Sequence, residues 1–325
     1  MPDQFDAAIE LQLDILRTSR RLTAEAVADL RDIEKKLIAE VAAGNYSQWR
    51  KSRLDRQIRD VRAMLHEDFK AMGAAISDKI GGIAEVSASA TAASIGPSAV
   101  LPPASVINTI ATTTVVDGAL QIDWWNRQAE TTAFRFSQAV RQGMTEGRTN
   151  QQIIATVRGF IDVSRRDAAA LVQTATASVA NRAREATFER NLDVIKRYRA
   201  VATLDTHTCP TCAPLDGLEW KPDGTKVGGH KFPLPVYPLH MNCRCLLVPI
   251  VLDGDLGGTR ASDGGQVDGN LTFAGWLRRQ STEKQDEILG KGRAELYRKG
   301  TITLTDLVTA SGNPLTLEQL RSKYL

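Results

Sequence analysis

No stretch of this 325-residue chain approaches the roughly 18 to 20 consecutive apolar residues that a membrane-spanning helix needs, so an integral membrane protein is not expected. No leader is expected either. The first residues, MPDQFDAAIELQLDIL, bring acids early and no cationic run into an apolar core, so the chain is expected to begin in the cytoplasm. Marked charge of either sign is absent: 41 basic against 38 acidic residues leave +3, which gives no overall argument for nucleic acid. Cysteine is scarce, with four in the whole chain, which excludes the dense disulfide framework of a small secreted domain. What remains is an ordinary globular composition, long enough for two or more domains with a sizeable core.

The apolar residues that are present fall into helical stripes. Leu22, Ala26, Leu30, Ile33, Leu37 and Val41 recur at steps of four or three, between mostly charged neighbours, and predict one helix from about Pro2 to Val41. A break at Gly44-Asn45-Tyr46 leads to a second stripe through Leu54, Ile58, Val61, Leu65, Phe69 and Met72. Two long helices on a short turn predict an antiparallel hairpin whose stripes pack on each other, with docking onto a partner's helices as the sharper alternative. Arg50, Lys51, Arg53, Arg56, Arg59 and Arg62 crowd the start of the second helix and read as a solvated face interleaved with acids.

From about Gly81 to Gly118 the chain is rich in Ala, Ser, Thr, Gly and Pro and nearly free of charge, which reads as a linker or irregular segment. Helical pattern resumes at Ile122 and runs to Met144, with Trp124 and Trp125 as core anchors. It restarts at Thr149, where Thr149-x-x-Gln152 has the form of a capping box, and a further helix is expected after Ser164, with Ser164 and Asp167 serving its first amides. That last helix carries a small-residue face, Leu171, Val172, Ala175, Val179, Ala183 and Ala186, suited to close packing. Beyond Asp205 periodicity gives way to turn formers, then Cys245 to Leu252 reads as a short strand and Asp253 to Asn270 as a loop. Three short tail helices are expected at Thr282 with Gln285, Thr303 with Asp306, and Thr316 with Gln319.

The breaker-rich segment after Asp205 has too little apolar content to fold by burial alone and needs a staple. All four cysteines, Cys209, Cys212, Cys243 and Cys245, lie within the 37 residues from 209 to 245, together with His240. Cys209-Pro-Thr-Cys212 puts two sulfurs on one tight turn, a spacing that lets both reach one tetrahedral zinc ion. His240-Met-Asn-Cys243-Arg-Cys245 offers three more donors, one more than the ion can take. A four-cysteine site through Cys243 and Cys245, or a site in which His240 binds with one of that pair, both fit the spacing. A thioredoxin-like redox pair does not, because prolines and a Pro-Leu-Asp-Gly turn replace the helix that should follow CxxC. Disulfides would require a later oxidising environment. A catalytic zinc would need an open position and a base, for which Asp205, His207, Asp216 and Glu219 are the nearby candidates. They read more simply as turn and cap residues, so a closed, structural zinc (Zn2+) is the expectation, with no catalytic residues.

The run Leu204-Asp-Thr-His-Thr-Cys-Pro-Thr-Cys-Ala-Pro-Leu-Asp-Gly217, with Tyr237-Pro-Leu-His-Met-Asn-Cys-Arg-Cys245, resembles the phage Mu F-like minor head protein (phage head morphogenesis) family. The resemblance extends upstream through Thr174-Ala-Thr-Ala-Ser-Val-Ala-Asn-Arg-Ala-Arg-Glu-Ala and downstream through Phe273-Ala-Gly-Trp-Leu and Ile288-Leu-Gly-Lys-Gly-Arg-Ala-Glu-Leu-Tyr297, so it covers roughly Ile122 to Leu325. It implies a non-enzymatic minor capsid protein of a tailed phage or prophage. Such a protein would associate with the portal protein, the major capsid or the scaffolding protein, act in head morphogenesis, and have packaged double-stranded DNA as a further partner. It would reside in the host cytoplasm during assembly and then in the virion head. The family's ligand positions fall on Cys209, Cys212, His240, Cys243 and Cys245. The tail matches the family's own ending rather than an added toxin domain. The alternative function is a zinc-dependent nuclease or hydrolase, or a DNA-end-binding protein of the head.

The expected fold class is mainly α. Its parts are an N-terminal helical hairpin (1–80), an Ala/Ser/Thr-rich linker (81–118), a helical region of the Mu F-like domain (119–200), a small loop-rich α+β zinc-knuckle module (201–252), a loop (253–270) and a short helical C-terminal tail (271–325).

Overall fold

In the computed structural model, which describes residues 4–44, 51–251 and 257–325, both N-terminal stripes lie on long helices, α1 (Gln4–Ala43) and α2 (Lys51–Ile95). Leu22, Ala26, Leu30, Ile33, Leu37 and Val41 of α1 are buried, as are Leu54, Val61, Leu65, Phe69 and Met72 of α2. Ion pairs Lys36–Asp68 (2.7 Å) and Lys79–Glu25 (2.5 Å) bridge the two helices at the rim. Asn45, Tyr46 and Arg50 lie outside the described residues. Arg56 and Arg59 are exposed, and Arg62 pairs with Glu130 across to the next helix of the bundle.

The segment expected to be a linker is largely helical. α2 continues without a break to Ile95, burying Ile83, Ala84, Ser87, Ala88, Thr91, Ala92 and Ile95. Alanine is the best helix former, and small residues repeating at three and four positions make a narrow face that a second helix can approach closely. Low charge there reflects burial, not flexibility. The helix ends at Gly96, whose φ of 139° is open to glycine alone, followed by Pro97. After Pro102-Pro103 comes α3 (Ala104–Thr113), which has no buried residue. A small hairpin, β1 (Val115–Val116) and β2 (Ala119–Leu120), follows. Its turn is Asp117-Gly118, with φ of 47° and 81°, the dipeptide that such two-residue hairpins prefer.

Next come α4 (Gln121–Thr145) and α5 (Asn150–Glu189). The Thr149 capping box forms as expected: Gln152 N donates to Thr149 Oγ1 at 3.3 Å and Thr149 N to Gln152 Oε1 at 2.8 Å. The helix start expected at Ser164 is absent, because α5 runs straight through and Ser164 instead donates to the carbonyl of Phe160, one turn back. α1, α2, α4 and α5 enclose one core. Trp125 is fully buried in it, facing Gly73 of α2, where an added Cβ would lie 2.6 Å from the indole. Trp124 is half-buried and donates its indole N–H to Val116 O at 2.8 Å.

A four-stranded antiparallel sheet follows, ordered β5-β4-β3-β6: β3 (Arg197–Val201), β4 (Glu219–Trp220), β5 (Lys226–Val227) and β6 (Leu246–Ile250). Every residue of β6 is buried, because the sheet is covered on both sides. On one face Val201, Leu246, Val248 and Ile250 meet Ala8 of α1; on the other a second core joins the sheet to the tail. Leu252 and residues 253–256 fall outside the described residues. The rest of the expected loop forms a hairpin, β7 (Thr259–Ser262) and β8 (Gly265–Asp268), closed by Asp263-Gly264.

The tail holds α6 (Phe273–Arg278), α7 (Thr282–Leu289), α8 (Lys291–Arg298) and α9 (Leu317–Tyr324). Ser281, one residue before the expected Thr282, caps α7 by accepting from Lys284 N. Thr303 and Asp306 form their capping box on a 3-10 turn (Leu304–Leu307) rather than an α-helix, while Thr316 and Gln319 cap α9 as expected. The fold is mainly α with a small α+β module.

Candidate metal centre

β3 leads into a turn that Asp205 holds together. Its carboxylate accepts from His207 N (2.9 Å) and takes a two-pronged pair from Arg244 at 2.6 and 2.7 Å. Thr208 donates back to Thr203 O at 2.6 Å. The next turn is Cys209-Pro-Thr-Cys212, closed by Cys212 N and Ala213 N on the Cys209 carbonyl at 3.1 and 3.0 Å, and it runs into a 3-10 turn (Ala213–Leu215). The second turn, His240 to Cys243, closes by Cys243 N on His240 O at 3.1 Å, with Asn242 at a φ of 63°. α5 supports it: Thr174 Oγ1 accepts from Asn242 N at 2.9 Å, and Gln173 donates to Asn242 O at 3.2 Å.

These two turns bring all five expected donors together. Cys209, Cys212 and His240 form one group and Cys212, Cys243 and Cys245 another, with donor atoms within 4.8 Å of one another in each, so Cys212 is common to both. His240 Nε2 lies 3.1 Å from Cys209 Sγ and 3.2 Å from Cys212 Sγ, and Cys212 Sγ lies 3.8 Å from Cys243 Sγ. Two sulfurs each about 2.3 Å from a tetrahedral ion sit about 3.8 Å apart, so that last spacing is the edge a zinc site needs. His240 Nδ1 is 2.7 Å from the Met241 carbonyl, which can only accept. That bond keeps a proton on Nδ1 and faces Nε2 toward the sulfurs, so that a metal displacing the Nε2 proton would meet the lone pair there.

Charge is already separated within the cluster. The neighbouring Cys212 thiol, and then His240, hold the Cys209 thiol down at about 4, and the Cys209 and Cys243 sulfurs push the His240 imidazole up to about 11. Cys212, in the middle, is raised by Cys209 and Cys243. One side of the cluster borders a groove of about 510 Å³ between the two turns and the loop 310–314, walled mainly by Leu215, Phe232 and prolines and containing no carboxylate.

Residues 135–248 match the family model described as Phage Mu protein F like protein. Over those residues the chain is similar to that family. No curated protein and no solved structure matches the chain. The matched region runs from the second half of α4 into β6 and contains both cysteine-bearing turns, all four cysteines and His240. It supports a phage head morphogenesis protein.

The acids considered as catalytic candidates in the Mu F-like region are committed to arginines. Asp205 belongs to Arg244, and Glu219 to Arg197 (3.0 Å) and Arg199 (2.6 Å). Asp216, with no exposed side-chain surface, takes Arg260 at 2.9 and 3.1 Å together with Ala202 N and Phe273 N. His207 is exposed and lines a cleft against α1 and α5 instead of the sulfurs.

Sequence reasoning missed one layer behind the cluster of the Mu F-like region. Arg184 of α5 is buried and donates to Asn181 Oδ1 (3.1 Å) and Gln12 Oε1 (2.8 Å), whose amides continue to the backbone of Cys245 and Arg244. The available signal was an arginine and an asparagine at helical spacing on an otherwise small, apolar face.

Proposed function

We propose that this chain is a minor structural protein of a tailed-phage or prophage head, acting in head morphogenesis through contacts with the portal or the capsid shell, and that its Cys/His cluster is a closed zinc centre. The ligands in this reading are Cys209, Cys212, His240 Nε2 and Cys243. The observation that carries it is the convergence of these donors at zinc-like spacing while each neighbouring acid is bound to an arginine. Cys245 touches only the Cys212–Cys243 side and is the spare fifth donor. Three thiolates and one imidazole are a donor set that zinc prefers, and they fill its four positions.

The ion supplies a four-way crosslink. It ties the Cys209–Cys212 turn to the His240–Cys243 turn in a segment rich in proline and glycine, where an apparent contribution on the order of 10 kcal/mol would dominate local folding. Without an open position or an available base, the centre does not perform hydrolysis. The division of the chain into a helical bundle, a metal module and a tail is proposed on the same grounds. The test is to extract the metal from purified protein and follow circular dichroism, binding to isolated portal rings and DNA cleavage together. Chelation should unfold the module and abolish portal binding, with no cleavage at any stage. Metal-dependent cleavage by a protein whose fold survives chelation would establish the hydrolase instead.

A further inference from the structure

Arg184 is a buried cation with no carboxylate partner among the described residues; burial alone pulls it down, to about 10. Removing a guanidinium from water without an opposing charge is costly, so its neighbours should explain its retention. Its two contacts are amide oxygens on different helices, Gln12 of α1 and Asn181 of α5. Each amide then uses its NH2 end on the segment that carries two of the thiols: Gln12 Nε2 donates to Arg244 O at 2.9 Å, and Asn181 Nδ2 to Cys245 O at 3.4 Å.

The chemistry of these groups fixes the direction of the whole network. A guanidinium only donates and a carbonyl only accepts, so an amide caught between them has a single satisfied orientation. Without the guanidinium, each buried amide oxygen loses its donor, and only the carbonyl at the other end still holds the amide against the Arg244–Cys245 backbone. The planar fork of arginine serves two acceptors at fixed angles, which the single ammonium of lysine does not reproduce.

We propose that Arg184 is a positioning residue for the metal centre: by orienting the Gln12 and Asn181 amides it aligns the Cys243–Cys245 strand entry, and it couples metal binding to the seating of α1 on α5. This rests on the zinc reading above. Coupling is reciprocal, so bound metal must stabilise the first turns of α1 to the extent that α1 stabilises bound metal.

The experiment uses the full-length, zinc-loaded protein and its R184M, R184K and Q12A variants. Zinc affinity is measured by competition with a chromophoric chelator, and amide hydrogen exchange of residues 6–20 is measured with and without zinc. R184M and R184K should lose about 10- to 100-fold in zinc affinity, the range for groups that orient ligands from behind, and Q12A should lose about 10-fold. Zinc should slow exchange in residues 6–20 of the unmodified protein and do so much less in the variants. Should R184M fail to fold, Q12A, which removes one amide from one helix, carries the same test. Variants that fold and bind zinc with unchanged affinity overturn the proposal and leave the zinc centre standing. Exchange in α1 that ignores zinc overturns the coupling. An unmodified protein that takes up no zinc removes the centre and the proposal together.

Discussion

Asp216 concentrates more of the fold in one side chain than any ligand does. Its carboxylate accepts from Ala202 N at 2.7 Å, Phe273 N at 2.6 Å and both terminal nitrogens of Arg260, tying the end of β3, the β7 strand and the start of α6 to one point. D216N keeps the shape and removes the charge, leaving a buried guanidinium uncompensated, and should cost about 3–5 kcal/mol, read as a lower urea midpoint at unchanged slope. Asp205 carries a pH dependence. Burial raises its carboxyl, but the Arg244 guanidinium outweighs burial and leaves it below the ordinary aspartate value. A depressed folded value contributes stability above the ordinary value near pH 4, and that stability is lost as pH falls through the folded value. Acid titration of stability should therefore show a component below about pH 4 that D205N lacks. Cys243 and Cys245 are separable too: C245S should keep full zinc content and C243S should lose it, by metal analysis of the purified variants.

At the scale of elements, the close approach of α2 and α4 at Gly73 offers the sharpest prediction. G73A improves helix propensity, yet its methyl group would sit 2.6 Å from the Trp125 ring, so the variant should be destabilised by about 1–3 kcal/mol in thermal or urea unfolding. The helices that sequence reasoning found, α1, the first two-thirds of α2, α4 and α9, are those whose apolar stripes or caps are strong. What it missed has physical causes. The stretch after Gly81 has few large apolar residues and buries Ala84, Ser87, Ala88, Thr91 and Ala92 instead, so its amphipathic signal is weak although it is packed. Ser164 looks like a cap because serine serves equally well by bonding back one turn inside a helix. The Asp117-Gly118 and Asp263-Gly264 turns were in plain view but are flanked by strands of only two to four residues, too short for alternation to register.

For the molecule as a whole, the helical bundle and the two cysteine-bearing turns share structure. α5 provides the bundle core on one flank and, from Gln173 to Arg184, the bed for the His240–Cys243 turn and the residues after it. That Cys209, Cys212, His240, Cys243 and Cys245 would converge was legible because cysteine and histidine at these spacings have few other uses. Their arrangement was not, because it depends on Asn242 adopting a positive φ, on the Met241 carbonyl fixing the imidazole, and on Gln12 arriving from 232 residues before the backbone it binds. Tertiary contacts likewise hold Asp205, Asp216 and Glu219, which read as turn and cap residues in sequence, to arginines in the fold.

The central claim is a closed centre of three sulfurs and one nitrogen. X-ray absorption at the zinc edge, with metal analysis of the purified protein, tests it most directly. The account predicts one zinc per chain, with three sulfur neighbours near ~2.3 Å and one imidazole nitrogen near ~2.0 Å. A shell containing a water oxygen, or protein purified under reducing conditions without stoichiometric zinc, would contradict it.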